Sequence, residues 1–237
     1  MGLYGGERMK RVFRDTLPVL VGYLFLGAGF GILLVQNGHS AIWAFFMSTF
    51  IYAGSGQYLA VDLMAECAGL FSAFIATLLV NARHLFYGIS LLDTYRDAGM
   101  AKPYMIFALT DETYSLVTQN QPPEGMSRTK YCFLVSALDH SYWIVGCVLG
   151  ALAGTYIPIN YKGVEFVLTA LFVTLFTEQW CAREDHTPAI LGLTATAVCL
   201  LLFGRQYFLI PAMMIIAVSL TVLNKLSRKR RPKRRDP

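Results

Sequence analysis

Three acids and an arginine stand in stretches of the chain that otherwise offer charge little company. Asp111 and Glu112 lie in ALTDETYSL, Asp139 and His140 in ALDHSYWIV, and Arg83 in NARHLFYG between Asn81 and His84. At the centre of a membrane helix an arginine costs about 2.5–3.5 kcal/mol on insertion scales, so such residues pair with acids, face the bundle interior or line a pathway. At least one of the acids is expected to answer Arg83. Helical spacing puts Asn81 and His84 on one face, with Arg83 and Tyr87 on the adjoining one. The same spacing groups Asp111 with Tyr114 and Ser115, and Asp139 with Tyr142 and Trp143. An acid in an aromatic, hydrogen-bonding wall suits an ammonium ion or a proton. The opposed effects of burial and a nearby arginine let a carboxyl load and release a proton, which makes Asp111, Glu112, Asp139 and His140 the candidate carriers. The residues alone do not rank the acids. The competing readings are a static ion pair and an Arg83 that snorkels to the rim. Glu178 and Gln179 read as interfacial.

Other chemistries lack their residues. His39, His84, His140 and His186 fall in different segments or loops without ligand spacing, so no metal is expected. No GxSxG elbow, HExxH helix or GxxxxGK[ST] loop occurs, so neither catalysis nor ATP use is expected, and no cofactor. Cys67, Cys132, Cys147, Cys181 and Cys199 form no CxxC pair and read as small apolar side chains.

The elements that hold these residues must be membrane helices. Of 237 residues 55% are apolar and 15% charged, and the mean hydropathy is +0.49. No Asp, Glu, Lys or Arg occurs between Asp15 and Asp62, nor between Arg205 and Lys225. A spanning helix takes about 20 apolar residues. The charge-poor runs are 17–35, 41–61, 67–92, 103–118, 131–157, 165–181, 187–203 and 206–224. The expected fold is therefore an all-α, polytopic integral membrane protein with about eight helical segments. The fourth run is short and polar, so a tilted, broken or re-entrant helix, with seven spans, is the alternative. Residues 1–16 and 225–237 are expected as cytoplasmic tails around a single transmembrane domain, 17–224. The first run has no cleavage-site pattern and reads as a span.

Lys and Arg set the orientation. With eight spans, Arg8, Lys10, Arg11, Arg14, Arg128, Lys130, Arg183 and the basic cluster 225–235 fall inside. Arg96, Lys102, Lys162 and Arg205 fall outside. Both termini are then cytoplasmic, and the tail RKRRPKRR is a topology anchor beside anionic headgroups, with no nucleic-acid partner expected.

Glycines carry two further signals. Gly27 with Gly31, and Gly146 with Gly150 and Gly154, have the small-xxx-small spacing of closely packed membrane helices, of this chain or of a partner. Gly54, Ser55, Gly56 and Gln57 put weak helix formers and polar side chains inside a run, so a break is expected at Gly54–Gly56. Such a break needs protein or a water-filled cavity around it, and the half-helix start offers positive partial charge to a carboxylate. A close-packing kink is the plainer alternative.

The motifs YAGSGQYLAV, NARHLFYG, TDETYSL and ALDHSYW, with LPVLVGYLFLGAGFGIL before them, resemble the AzlC family of branched-chain amino acid export proteins from about Leu17 to the last helix. The resemblance implies the large subunit of a two-component exporter in the bacterial inner membrane, paired with a small AzlD-type membrane subunit. It also implies that the substrate site draws on Gly54, Ser55, Gly56, Gln57, Asn81, Arg83, His84, Asp111, Tyr114, Asp139 and Tyr142. The expected mechanism is proton-coupled export of a zwitterionic aliphatic amino acid. Its carboxylate would meet Arg83 and the half-helix start, and its ammonium Asp111 or Asp139.

Overall fold

The structure, a computed structural model, describes residues 2–81, 83–156, 173, 176–177, 180–181 and 186–230; the side chain of Arg83 lies outside that description. So do most of the sixth run, with Glu178 and Gln179, and the last residues of the basic tail. The chain forms two compact units, Met1–Ala170 and Leu171–Pro237.

The first unit is organised on two long helices, α1 (Gly2–Gln36) and α8 (Arg128–Tyr156). The other helices before α8 are α2 (Ile42–Phe50), α3 (Ser55–Ala65), α4 (Leu70–Asn81), α5 (Arg83–Ser90), α6 (Lys102–Phe107) and α7 (Asp111–Gln119). The glycine stripes pack these two helices on each other within one chain. A Cβ at Gly27 would lie 2.9 Å from the Cys147 nitrogen, one at Gly146 2.5 Å from the Tyr23 carbonyl, and one at Gly154 3.1 Å from the Ile32 Cα. Gly31 and Gly150 are tighter still, against the backbone of Cys147–Ala151 and of Ala28. Contacts advance together along both helices, from Tyr23 with Gly146 to Ile32 with Gly154, so α1 and α8 run parallel. Their N-terminal ends lie side by side, where Arg8 Nη1 donates to the Gly125 carbonyl (3.0 Å) and Tyr131 Oη to Asp15 Oδ2 (3.0 Å). Helix α1 begins well before the expected entry at Leu17, and Val12 and Thr16 are already buried.

Among the described residues three stretches are long and apolar enough to cross a bilayer: Gly6–Gln36, Arg128–Tyr156 and Thr187–Gly204. These three stretches do not establish the expected count of about eight, and most of the sixth run lies outside the described residues. The second run is interrupted, but slightly before the expected place: the helix stops at Phe50, Tyr52 and Gly54 take positive φ (41° and 34°), and α3 starts at Ser55. Gly56 lies inside the first turn of α3. Helix α3 then forms an antiparallel hairpin with α4, with the Asn81 side chain beside Gly56 at its open end.

The fourth run does not cross. The stretch from Leu91 through Tyr95 and Ala98 packs with Met105, Leu109 and Val117 against Val12, Tyr131 and Cys132, at the N-terminal ends of α1 and α8. From that end α6 rises until Phe107 meets the rings of Tyr52 and His140 (6.3 and 5.8 Å). The helix breaks at Ala108–Thr110, and α7 descends to the same end, where Arg128 bonds the carbonyls of Val117 and Asn120. Of the paths open to this run, the re-entrant one is the path α6 and α7 take. It also corrects the placement of Arg96 and Lys102, whose segment shares its end with Arg8 and Arg128 and not the opposite one.

In the second unit α9 (Thr187–Tyr207) and α10 (Leu209–Arg230) pack on each other, with positive φ at Gly204 (68°) near the end of α9. Leu201 and Leu202 are exposed, as on a lipid-facing surface. Cys132, Cys147 and Cys199 are buried and free, while Cys67 and Cys181 are exposed.

Candidate functional site

Both interruptions of the first unit end against the middle of α1 and α8. Thr110 closes the α6–α7 break by capping α7, its Oγ1 accepting from the Thr113 amide (3.3 Å). Asp111 and Glu112 then occupy the first helical turn, where the helix dipole favours negative charge.

A line of polar oxygens crosses from this cap into the long helices. Tyr23 Oη lies 2.8 Å from Glu112 Oε2 and 2.7 Å from Thr110 Oγ1. Thr110 Oγ1 lies 3.1 Å from Thr113 Oγ1, which donates to Asp139 Oδ2 at 2.8 Å. Thr113 and Asp139 are wholly buried, and the second carboxyl oxygen, Asp139 Oδ1, has no hydrogen-bond partner among the described residues. On α8, one turn beyond Asp139, the Trp143 ring meets the Tyr23 ring edge-on at 5.3 Å.

The other break is tied to the same face of α8. Trp143 Nε1 donates to Gln57 Oε1 at 2.7 Å, while the wholly buried Gln57 Nε2 has no acceptor among the described residues. The Tyr52 ring lies on the His140 imidazole, centroids 4.3 Å apart, and at the edge of the imidazole Tyr104 Oη is 3.1 Å from Nδ1. His140 Nε2 reaches the Ser48 carbonyl at 3.3 Å, fixing the end of α2 to α8. Tyr58 Oη donates to the Leu26 carbonyl (2.7 Å) and its ring meets Phe30, further along α1 than Tyr23.

The backbone at the start of α3 is partly satisfied at home. The Gly56 amide donates to the Ala53 carbonyl (2.6 Å) and the Gln57 amide to that of Gly54 (3.0 Å). At the start of α3 the unused donor is therefore the Gln57 carboxamide nitrogen and not these two amides.

Of the residues singled out in the sequence, the structure gathers Gln57, Glu112, Asp139 and His140, with Gly54, Ser55 and Gly56 as the interruption beside them and Asn81 packed on Gly56. Asp111 opens α7 next to Glu112. Three others make their hydrogen bonds elsewhere. Tyr114 stacks on Tyr87 (4.6 Å) and reaches Ser90 (3.1 Å), His84 Nδ1 lies 3.0 Å from the Asn81 carbonyl, and Tyr142 bonds Thr16 (3.1 Å) nearer the N-terminal end of α1. The expected pairing of Arg83 with an acid lies outside the described residues.

Sequence reasoning missed Tyr23, Tyr52, Thr110 and Thr113. Tyr23 and Tyr52 count as apolar in a hydropathy run. Thr110 carried a readable signal: a threonine before Asp111 and Glu112 is a helix-start pattern within a supposed span.

The profile described as AzlC protein matches residues 18–157. The branched-chain amino acid transport protein AzlC of Bacillus subtilis is 41% identical over 216 residues, 91% of this chain and 85% of its own. An uncharacterized membrane protein of Helicobacter pylori is 43% identical over 219 residues, 92% of this chain and 96% of its own. The inner membrane protein YgaZ of Escherichia coli is 26% identical over 214 residues, 86% and 84% of the two chains. No solved structure matches.

Proposed function

From the premise that this chain belongs to the AzlC family, we propose that it is the large subunit of a secondary, proton-coupled exporter of branched-chain amino acids, working with an AzlD-type small membrane subunit in the bacterial inner membrane. The observation that carries the reading is a pair of buried, half-used polar groups: Asp139 Oδ1 on α8, an acceptor, and Gln57 Nε2 on α3, a donor whose carboxamide oxygen is held by Trp143 of α8. Buried polar atoms are rarely left without partners, and orphaned ones mark a place for a ligand or water. A zwitterion brings a donor and an acceptor together. Its ammonium belongs on Asp139, its carboxylate on Gln57, with Arg83 kept from the sequence reading as a further carboxylate partner, and its aliphatic chain against Trp143 and Tyr52.

The topology supports alternating access. Hairpin α6–α7 enters from the end that holds Arg8, Arg96, Lys102 and Arg128, which the positive-inside bias makes cytoplasmic. Helix α2 enters from the other end of α1, and α3 leaves the break toward Phe30, so the two breaks meet from opposite sides near the middle of α1 and α8. Secondary carriers place their sites at such interruptions. Residues 17–224 act as the transport domain, with 1–16 and 225–237 at the cytoplasmic face.

Cells fed a valine-containing dipeptide, which is hydrolysed internally, test the reading. With the complex they release valine faster than with empty vector, and with Asp139→Asn, Gln57→Leu or Arg83→Gln they do not. Equal release from wild type and from all three correctly inserted variants would contradict it.

A further inference from the structure

Glu112 Oε2, Tyr23 Oη, Thr110 Oγ1, Thr113 Oγ1 and Asp139 Oδ2 are joined in that order by separations of 2.8, 2.7, 3.1 and 2.8 Å. Each link is of hydrogen-bond length, and each needs one proton between its oxygens. The three hydroxyls supply only three protons for four links. The Thr113 amide also donates to Thr110 Oγ1, but that proton occupies a contact of its own. With both carboxyls ionised, one link would set bare oxygen lone pairs against each other in a site that is largely buried, at substantial cost.

We propose that Glu112 and Asp139 share one dissociable proton through Tyr23, Thr110 and Thr113, and that this relay couples proton movement to amino-acid binding at Asp139. With the proton on Glu112, every donor in the line points toward an ionised Asp139. When it moves, the Glu112 O–H bond breaks and an Asp139 O–H bond forms. Each hydroxyl passes one proton on and receives one, so the three hydroxyls are unchanged and every donor now points the other way. Two interacting carboxyls of this kind titrate as a pair. The ionisable groups facing the line are Tyr52 at the α2–α3 break, Asp111 on α7, and His140 and Tyr142 on α8.

The relay deepens the exporter reading and rests on it for its substrate. A substrate ammonium at Asp139 Oδ1 favours the ionised acid and sends the proton to Glu112; departure of the ammonium lets it return. Substrate and proton thus exclude each other at Asp139, which is the requirement for exchanging one against the other across the membrane.

Tyr23→Phe removes the oxygen that joins the two ends while keeping a ring against Trp143. In proteoliposomes holding the chain and its small partner, protons moved per valine, read with an internal pH dye and labelled valine, are expected to fall by about ten-fold or more in this variant. An unchanged ratio overturns the relay. A second measurement needs no transport: infrared spectra of the purified wild type at neutral pH are expected to hold the carbonyl stretch of a protonated carboxyl that is missing from the Glu112→Gln/Asp139→Asn double variant. Its absence from the wild type overturns the shared proton even if Tyr23→Phe fails to insert. A wild type that moves valine without protons, yet shows the band, would instead contradict the coupling claimed for the exporter.

Discussion

Replacing Gly146 by alanine tests whether the contact of α1 with α8 sets the geometry of the polar line. The added Cβ would lie 2.5 Å from the Tyr23 carbonyl oxygen, 3.1 Å from the Leu24 Cα and 3.2 Å from the Leu24 carbonyl, all of them backbone atoms that no rotamer change can remove. Relief to an ordinary contact requires α1 to retreat by about 0.9 Å at Tyr23. Overpacking of this kind costs about 1–3 kcal/mol, roughly a 5- to 150-fold loss in the folded-to-unfolded ratio. The same retreat would stretch the Tyr23 bonds to Thr110 and Glu112, now 2.7 and 2.8 Å, toward the limit of hydrogen bonding. The control is Gly22→Ala, one position before Tyr23 on the same helix, where a Cβ meets nothing within 4 Å. Alanine is favoured over glycine in a helix by about 1 kcal/mol, so the control should melt at or above the wild type. Thermal unfolding in detergent, followed by fluorescence-detected size exclusion, is expected to rank Gly22→Ala at the top and Gly146→Ala clearly below the wild type. A Gly146→Ala protein as stable as the control would refute the argument that backbone contact through these glycines fixes α1 against α8.

Trp143→Phe should destabilise by about 1–3 kcal/mol, because Gln57 Oε1 loses its donor in a buried site; adding Gln57→Leu should recover part of that loss in a double-mutant cycle of melting temperatures. Tyr58→Phe removes a hydroxyl from the Leu26 carbonyl, and should cost only about 0.6 kcal/mol, the average for side-chain hydrogen bonds within membranes. In a chain whose native cysteines are replaced, Met9→Cys, Met100→Cys and Glu124→Cys, all at exposed positions, should react with an impermeant maleimide from one and the same side of the membrane. Labelling of position 100 from the opposite side would contradict the re-entrant path of α6 and α7.

The glycine stripes were legible because they act through backbone geometry alone: residues without side chains at a spacing of four can only mean close approach, and Gly27, Gly31, Gly146, Gly150 and Gly154 do meet. The break in the second run was legible to within two residues. The sequence shows which glycines weaken a helix, but not that Tyr52 would be held at positive φ by packing on His140. The return of the fourth run was not decided by hydropathy, which reports whether a residue tolerates lipid and not which way the chain turns. The cap at Thr110 decides it locally, and the shared cluster of Val12, Leu91, Met105 and Tyr131 decides it globally. The acids were found by their charge. Their partners were not, because a tyrosine and two threonines become a relay only when two helices and a cap bring their hydroxyls within 3.1 Å of one another.

Efflux of preloaded labelled valine from proteoliposomes containing this chain with its small partner, with and without an imposed pH gradient and with lysine as control, tests the central claim most directly. Valine-selective efflux that the gradient accelerates is the result expected. A folded, complete complex that releases valine no faster than lysine under either condition would contradict it.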